Sequence, residues 1–227
     1  MNYFNSRHET SIPISGSNEL FLVHRIFCVG RNYKKHIEEM GYKESDIPFI
    51  FFMKPPEAVV TNGQKIAIPD FTNNFQHEVE LVIAIGREGL RMSEENALEH
   101  VFGYGVGIDL TCRDIQIEAK KKGRPWTLAK STPYSAPVSD ITPANESGHL
   151  NEGSIRLSVN GVNRQKSNMK EMIRSVPKIV SEISEIYTLY SGDLIFTGTP
   201  EGVGKLEPGD TIFAEIDGLQ SLTITIT

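Results

Sequence analysis

Two glutamates open an apolar run, His77-Glu78-Val79-Glu80-Leu81-Val82-Ile83-Ala84-Ile85, and no other segment so restricts what the chain can build. Strand side chains alternate faces, so Glu78 and Glu80 point the same way, with Cα atoms roughly 7 Å apart. Val79, Leu81, Ile83 and Ile85 fill one face, while Glu80 shares the other with Val82 and Ala84. Two ionised carboxylates that close to each other and to apolar neighbours repel and lose water. Either a cation sits between them or one pKa rises. A bound divalent metal is the economical answer; the alternative is an exposed edge strand with both glutamates solvated.

The 227 residues suffice for one large domain or two small ones, and no Pro-, Gly- or Ser-rich linker parts them. Residues 1–20 read as a polar arm and residues 21–227 as one domain. Net charge is −6, with the basic residues scattered. The one basic run, Lys120-Lys121-Lys122, is too short for a nucleic-acid footprint and reads as a solvated helix end. Cys28 and Cys112 form no C-x-x-C, which fits a reduced, cytoplasmic setting. The N-terminus lacks a charged start followed by an apolar core, and no apolar run approaches the ~20 residues of a membrane span. A soluble protein acting on something small is expected, with neither nucleic acid nor membrane as partner.

Strands are expected over Leu22–Val29 and Pro48–Lys54, with a two-turn helix between them, Tyr33–Met40, capped by Asn32 and stopped by Gly41. Ser93 caps an amphipathic helix to Val101. Gly103-Tyr104-Gly105-Val106-Gly107-Ile108 is a glycine-alternating strand that lets another backbone or a ligand approach closely. Thr111-Cys112-Arg113-Asp114 matches a capping box and opens a helix to about Lys122. Val159-Asn160-Gly161-Val162 is a hairpin turn. A helix starts near Pro177 with Ile179, Val180, Ile183 and Ile186 on its buried stripe, and strands with tight turns follow. The class is α+β with strand in excess, without the βαβ rhythm of a parallel sheet.

Asp109 ends the glycine-rich strand and is placed to be a third metal ligand; a turn or capping aspartate is the plain alternative. An all-oxygen set selects Mg²⁺, Mn²⁺ or Ca²⁺. Arg113 and Gln116 share a helix face and suit a carboxylate or keto oxygen, unless that face is simply solvated. Lys130 lies in a locally apolar run; inside a site of three carboxylates it would balance charge and stabilise an enolate, and otherwise it is a surface lysine. His36 and Glu39, three apart on the first helix, can pair as a base and the group that orients it. His77 lies on the opposite strand face and reads as packing or support. The Thr197-Gly198-Thr199-Pro200 turn bares N–H groups and hydroxyls suited to an anion, whereas no phosphate-binding loop supports nucleotide binding.

Together these segments resemble the fumarylacetoacetate hydrolase superfamily, and most closely its small single-domain acylpyruvate hydrolase and oxaloacetate decarboxylase-like branch. The likeness runs in order from Cys28-Val29-Gly30-Arg31-Asn32-Tyr33 through His77–Leu81, Gly103–Thr111, Arg113–Gln116 and Lys130 to Gly192–Gly204. It implies a mixed β-sandwich roll with flanking short helices, usually a homodimer. It also implies Glu78, Glu80 and Asp109 as ligands of Mg²⁺ or Mn²⁺, with Ca²⁺ as a possible substitute. Lys130 becomes the buried active-site lysine, and His36 with Glu39 the water-activating pair on a lid. Arg113, Gln116 and Thr199 become the grip on a small 2-oxo acid. The implied activity is metal-dependent C–C cleavage of an acylpyruvate to pyruvate and a carboxylic acid. Oxaloacetate decarboxylation and 2-oxo acid tautomerisation or isomerisation are alternatives on the same site, and a non-catalytic binder of metal and 2-oxo acid is the outside reading. Loops 41–48 and 143–153 are expected to shape the acyl pocket.

Overall fold

A computed structural model describes residues 9–41 and 48–227. The Val79–Ile85 strand lies inside a six-stranded sheet ordered Thr142–Pro143, Val101–Ile108, Val79–Ile85, Leu194–Phe196, Ile26–Gly30, Ile50–Lys54. Neighbours are antiparallel except for Leu194–Phe196 against Ile26–Gly30. A five-stranded sheet ordered Val162–Asn168, Ser154–Val159, Thr211–Ile216, Leu222–Ile226, Lys65–Ile66 covers one face of the first.

The strand's alternation decides what each face meets. Val79, Leu81, Ile83 and Ile85 join Ile155, Leu157, Ile212, Ala214 and Ile224 in the core between the sheets. Val82 and Ala84 pack on the far side with Ile12, Val138, Ile141 and Phe196. Truncating fully buried Leu81 to alanine would cost about 2–5 kcal/mol. The result is the strand-rich α+β sandwich that the sequence implies, with short helices at its flanks.

Several local expectations are corrected. Within the stretch read as a polar arm, Ser11–Pro13 pairs with Leu20–Leu22 and Ile12 is buried. Asn32 does not cap the helix, which spans Lys34–Glu39; its buried amide donates instead to the Arg174 and Thr197 carbonyls. The helix Arg113–Lys121 starts without a cap from Thr111, whose hydroxyl is engaged with the Asp109 carbonyl and Lys130. The segment after Ser93 is a short helix, Glu94–Ala97, continued as a 3₁₀ turn, Leu98–His100. Ile186 lies beyond the helix Val176–Ser184 and is exposed. The Asn160-Gly161 hairpin forms as expected, with Val159 opposite Val162. Among the described residues no helix is long and apolar enough to cross a membrane.

Candidate active site

Glu78 and Asp109 meet because Val79 pairs with Ile108 and Glu80 with Gly107; the Asp109 N–H donates to the Glu78 carbonyl at 2.8 Å, one step beyond the ladder. A side chain at Gly107 would lie 2.4 Å from Val82 Cγ2 and 2.6 Å from a Phe196 ring carbon, so only glycine keeps the layer behind the site closed. One carboxylate oxygen from each of Glu78, Glu80 and Asp109 lies within 4.8 Å of the others, and all three residues are buried.

Three cations stand against the three acids. Lys130 Nζ donates to Glu78 Oε2 at 2.7 Å, Asp109 Oδ2 at 2.6 Å and Thr111 Oγ1 at 2.7 Å. Arg113 donates to Glu78 Oε1, to Gln116 Oε1 at 2.6 Å and to Gln76 Oε1 at 2.8 Å. With its oxygen so occupied, the Gln116 amide nitrogen is left to donate. Lys54 was not singled out by sequence. Its buried ammonium lies 2.8 Å from Asp109 Oδ1 and donates to the Leu110 carbonyl at 3.3 Å, Ser135 Oγ at 3.0 Å and the Lys130 carbonyl. Against Asp109 Oδ1 it is close but out of hydrogen-bonding line, so that buried oxygen accepts no hydrogen bond.

The acids differ in consequence. Burial pushes Glu80 well above the usual carboxylate range, and Asp109 and Glu78 push it further; its hydrogen bond comes from the Gly198 N–H at 2.7 Å. For Glu78 burial acts the same way, but Lys130 and Arg113 override it and hold the carboxyl well below that range. Burial also works against the Lys130 charge, and Asp109 and Glu78 more than offset it. Glu80 therefore lacks the cation that Glu78 has. A buried all-carboxylate set with one orphan oxygen and one uncompensated glutamate fits a hard divalent cation.

The same cavity is lined by His36, Gln116, Thr199, Arg31, Phe52, Lys120 and Trp126. His36 Nδ1 lies 3.1 Å from Glu39 Oε2, and Glu39 Oε1 accepts the Gly202 N–H at 3.0 Å. The bond to His36 is the main cause holding the Glu39 carboxyl below its usual range. Gly198 has φ +97°, and a Cβ there would lie 2.7 Å from the Asn32 Cβ, so the turn that delivers its N–H to Glu80 requires glycine. Lys120 is no solvated helix end. It turns inward over the Trp126 ring at 5.1 Å, and burial, with Arg113 and Lys130 nearby, brings its pKa down to about 8.

Every residue singled out for the site from sequence thus lines this cavity or bonds directly to a residue that does. His77 packs behind it against Gln165, as expected. Sequence reasoning missed Lys54, Lys120 and Gln165; the one available signal was Lys54 closing an apolar strand, where an ionised group needs a partner. Of the two loops expected to shape the pocket, 42–47 lies outside the described residues. None of residues 143–153 lines the cavity; they lie around the helix Ala144–Ser147, beside the opposite edge strand.

Comparison with known proteins agrees with this geometry. The model of the family described as fumarylacetoacetate (FAA) hydrolase, C-terminal, matches residues 25–227. A mitochondrial oxaloacetate tautomerase of Rattus norvegicus, FAHD1, is 43% identical over 201 residues, covering 88% of this chain and 90% of the relative. A fumarylpyruvate hydrolase of a Ralstonia species is 39% identical over 198 residues, covering 87% and 98%. The crystal structure of fumarylpyruvate hydrolase from Pseudomonas aeruginosa in complex with Mn²⁺ and pyruvate superposes with a TM-score of 0.97 at 42% identity, covering 100% of this chain and 99% of that one.

Proposed function

Because the chain belongs to the fumarylacetoacetate hydrolase family, we propose that it is a divalent-metal-dependent hydrolase cleaving the C3–C4 bond of acylpyruvates to pyruvate and a carboxylic acid. The observation that carries this reading is the hydrogen-bonded His36–Glu39 pair beside the acidic triad in one cavity. A relative named for hydrolysis of fumarylpyruvate and a similar structure holding Mn²⁺ and pyruvate support it. The reading treats residues 21–227 as one catalytic domain, supported by a single match over residues 25–227. It takes the enzyme as a cytoplasmic homodimer; both cysteines are free and buried, which supports a reducing compartment.

Mg²⁺ or Mn²⁺ held by Glu78, Glu80 and Asp109 would supply Lewis-acid chemistry, drawing negative charge onto the keto oxygen of a 2-oxo acid. Lys54, Lys130 and Arg113 pair with Glu78 and Asp109, and none of them contacts Glu80. A divalent ion held there would meet the Glu80 charge and supply positive charge to the carboxylate and developing enolate of the pyruvate half. Thr199, Gln116 and Arg113 orient that half, and the buried Lys130 ammonium, its three hydrogens given to Glu78, Asp109 and Thr111, supplies positive charge near the enolate oxygen. His36 takes a proton from water through Nε2 while Glu39 keeps the ring in place. The water oxygen bonds to C4, the C3–C4 electron pair stays with C3, and C3 then takes a proton. Oxaloacetate tautomerisation is the second reading, favoured by the names of relatives up to 43% identical; it needs only proton transfer at C3. Decarboxylation of oxaloacetate needs no water.

The test is to incubate the protein, with Mg²⁺ or Mn²⁺ and then with EDTA, on acetylpyruvate, fumarylpyruvate and oxaloacetate, following pyruvate and enol absorbance. Metal-dependent pyruvate from an acylpyruvate is the expected result. Pyruvate from oxaloacetate alone would make it a decarboxylase, and enol change without pyruvate a tautomerase. Bound metal with no product from any of the three would make it a binding protein.

A further inference from the structure

Gln165 lies on the Val162–Asn168 strand of the five-stranded sheet, fully buried, and reaches the sheet that carries the acids. Its carboxamide is saturated. Oε1 accepts the Val79 N–H at 3.0 Å and faces His77 Nδ1 at 3.0 Å. Nε2 donates to the Pro200 carbonyl at 2.9 Å and to Thr199 Oγ1 at 2.8 Å. A backbone N–H must meet an acceptor and a backbone carbonyl a donor, so the amide has one orientation, and His77 Nδ1 carries its hydrogen. Thr199 Oγ1 is therefore an acceptor toward Gln165, and no acceptor among the described residues takes its own hydrogen.

We propose that Gln165 is a positioning residue that fixes the polarity of Thr199, filling the acceptor side of the hydroxyl from behind so that its hydrogen points at the substrate carboxylate. This rests on the reading in which Thr199 meets that carboxylate. A carboxylate offers only lone pairs, so a hydroxyl free to rotate presents the wrong face part of the time. Val79 stands between Glu78 and Glu80, so the same amide also sets the height of Thr199 against the strand of acids.

The experiment measures pyruvate affinity of the Mn²⁺-loaded protein by calorimetry, with Mn²⁺ affinity, melting midpoint, and kcat and KM for acetylpyruvate alongside. Thr199→Val is expected to weaken pyruvate about 10- to 100-fold, the range for a hydrogen bond to a charged group, with Mn²⁺ affinity unchanged. Gln165→Glu substitutes an acceptor, draws the Thr199 hydrogen away from the cavity and turns lone pairs on the substrate. It is expected to lose at least as much, mainly in KM. Adding Thr199→Val to Gln165→Glu then causes no further loss, since the misdirected hydroxyl is gone. Multiplied losses in the double variant would overturn the proposal while leaving the role of Thr199 intact. Unchanged pyruvate affinity in Thr199→Val would instead sink that role, and the proposal with it. Should Gln165→Glu fail to fold, Gln165→Met serves. It should lose less than Thr199→Val, and the double variant should equal Thr199→Val alone; multiplied losses would again overturn the proposal.

Discussion

Replacing Lys54 by methionine keeps most of the side-chain volume and removes a charge whose side chain is 0% exposed. Asp109 retains Lys130 at 2.6 Å but loses the ammonium at 2.8 Å from its other oxygen. The Leu110 and Lys130 carbonyls and Ser135 Oγ lose a donor. Removing one partner of a buried ion pair costs about 3–5 kcal/mol, because the remaining charge has no water to turn to. For a chain this long each kcal/mol moves the melting midpoint by about 2–4 °C, so the metal-free variant should melt roughly 6–20 °C below the wild type. Mn²⁺ should change that comparison. An ion among the triad supplies Asp109 with positive charge, and in the variant it no longer meets the repulsion of Lys54. Ligand binding stabilises the native state by RT ln(1 + [L]/Kd), so at equal free Mn²⁺ the rise should be larger in Lys54→Met, which binds the ion more tightly, than in the wild type. Melts of both proteins after EDTA and again with saturating Mn²⁺ decide the matter. An equal or smaller rise in the variant would refute the argument and place the value of Lys54 in its bonds to the three neutral oxygens.

Glu80→Gln keeps an acceptor for the Gly198 N–H and removes a ligand charge; calorimetry should show Mn²⁺ affinity falling by roughly 100-fold or more, in the range of a lost buried charge contact. The raised Glu80 pKa also has a sign. Its contribution to metal-free stability is fully present below the ordinary value of 4.5 and is lost as pH rises through its higher folded value. The wild-type midpoint minus that of Glu80→Gln, both metal-free, should therefore fall as pH rises above 4.5, and a flat difference would count against the assignment. His36→Ala should lower acylpyruvate cleavage about 10²- to 10⁴-fold while leaving Mn²⁺ binding in place; unchanged cleavage would remove His36 from the water-activating role. Gly198→Ala forces a Cβ against Asn32 at φ +97° and should cost about 1–3 kcal/mol in urea unfolding, with weaker Mn²⁺ binding. Wild-type values in both measurements would show that the turn relaxes freely.

What sequence exposes of this molecule follows from locality. The alternation of Val79, Leu81, Ile83 and Ile85 against Glu80, Val82 and Ala84 is legible because one strand with two faces writes both environments at a period of two. Asp109 is legible because it ends a strand whose glycines mark close approach. Lys54 is not, because its hydrogen-bond acceptors and Asp109 all lie far along the chain and nothing near Pro55-Pro56 hints at them. Gln165 is hidden for the same reason: amid the polar run Val162–Asn168 it looks like any solvent-facing residue, although it is wholly buried. The Thr111 capping box misleads by offering a familiar local use for a hydroxyl that long-range contacts with Lys130 claim first. Lys120 misleads by company, since two exposed lysines beside it suggest that all three are solvated.

Residues 198–202 are tethered at both ends, to Glu80 through the Gly198 N–H and to Glu39 through the Gly202 N–H. Under the proposed function, an ion held by Glu80 would bear on the Gly198 end, and residues 198–202 connect that end to the Glu39 carboxylate bonded to His36. On the proposed function, exchanging one divalent ion for another of different radius would shift the aim of the imidazole as well as the spacing of the triad, and would link metal choice to water activation.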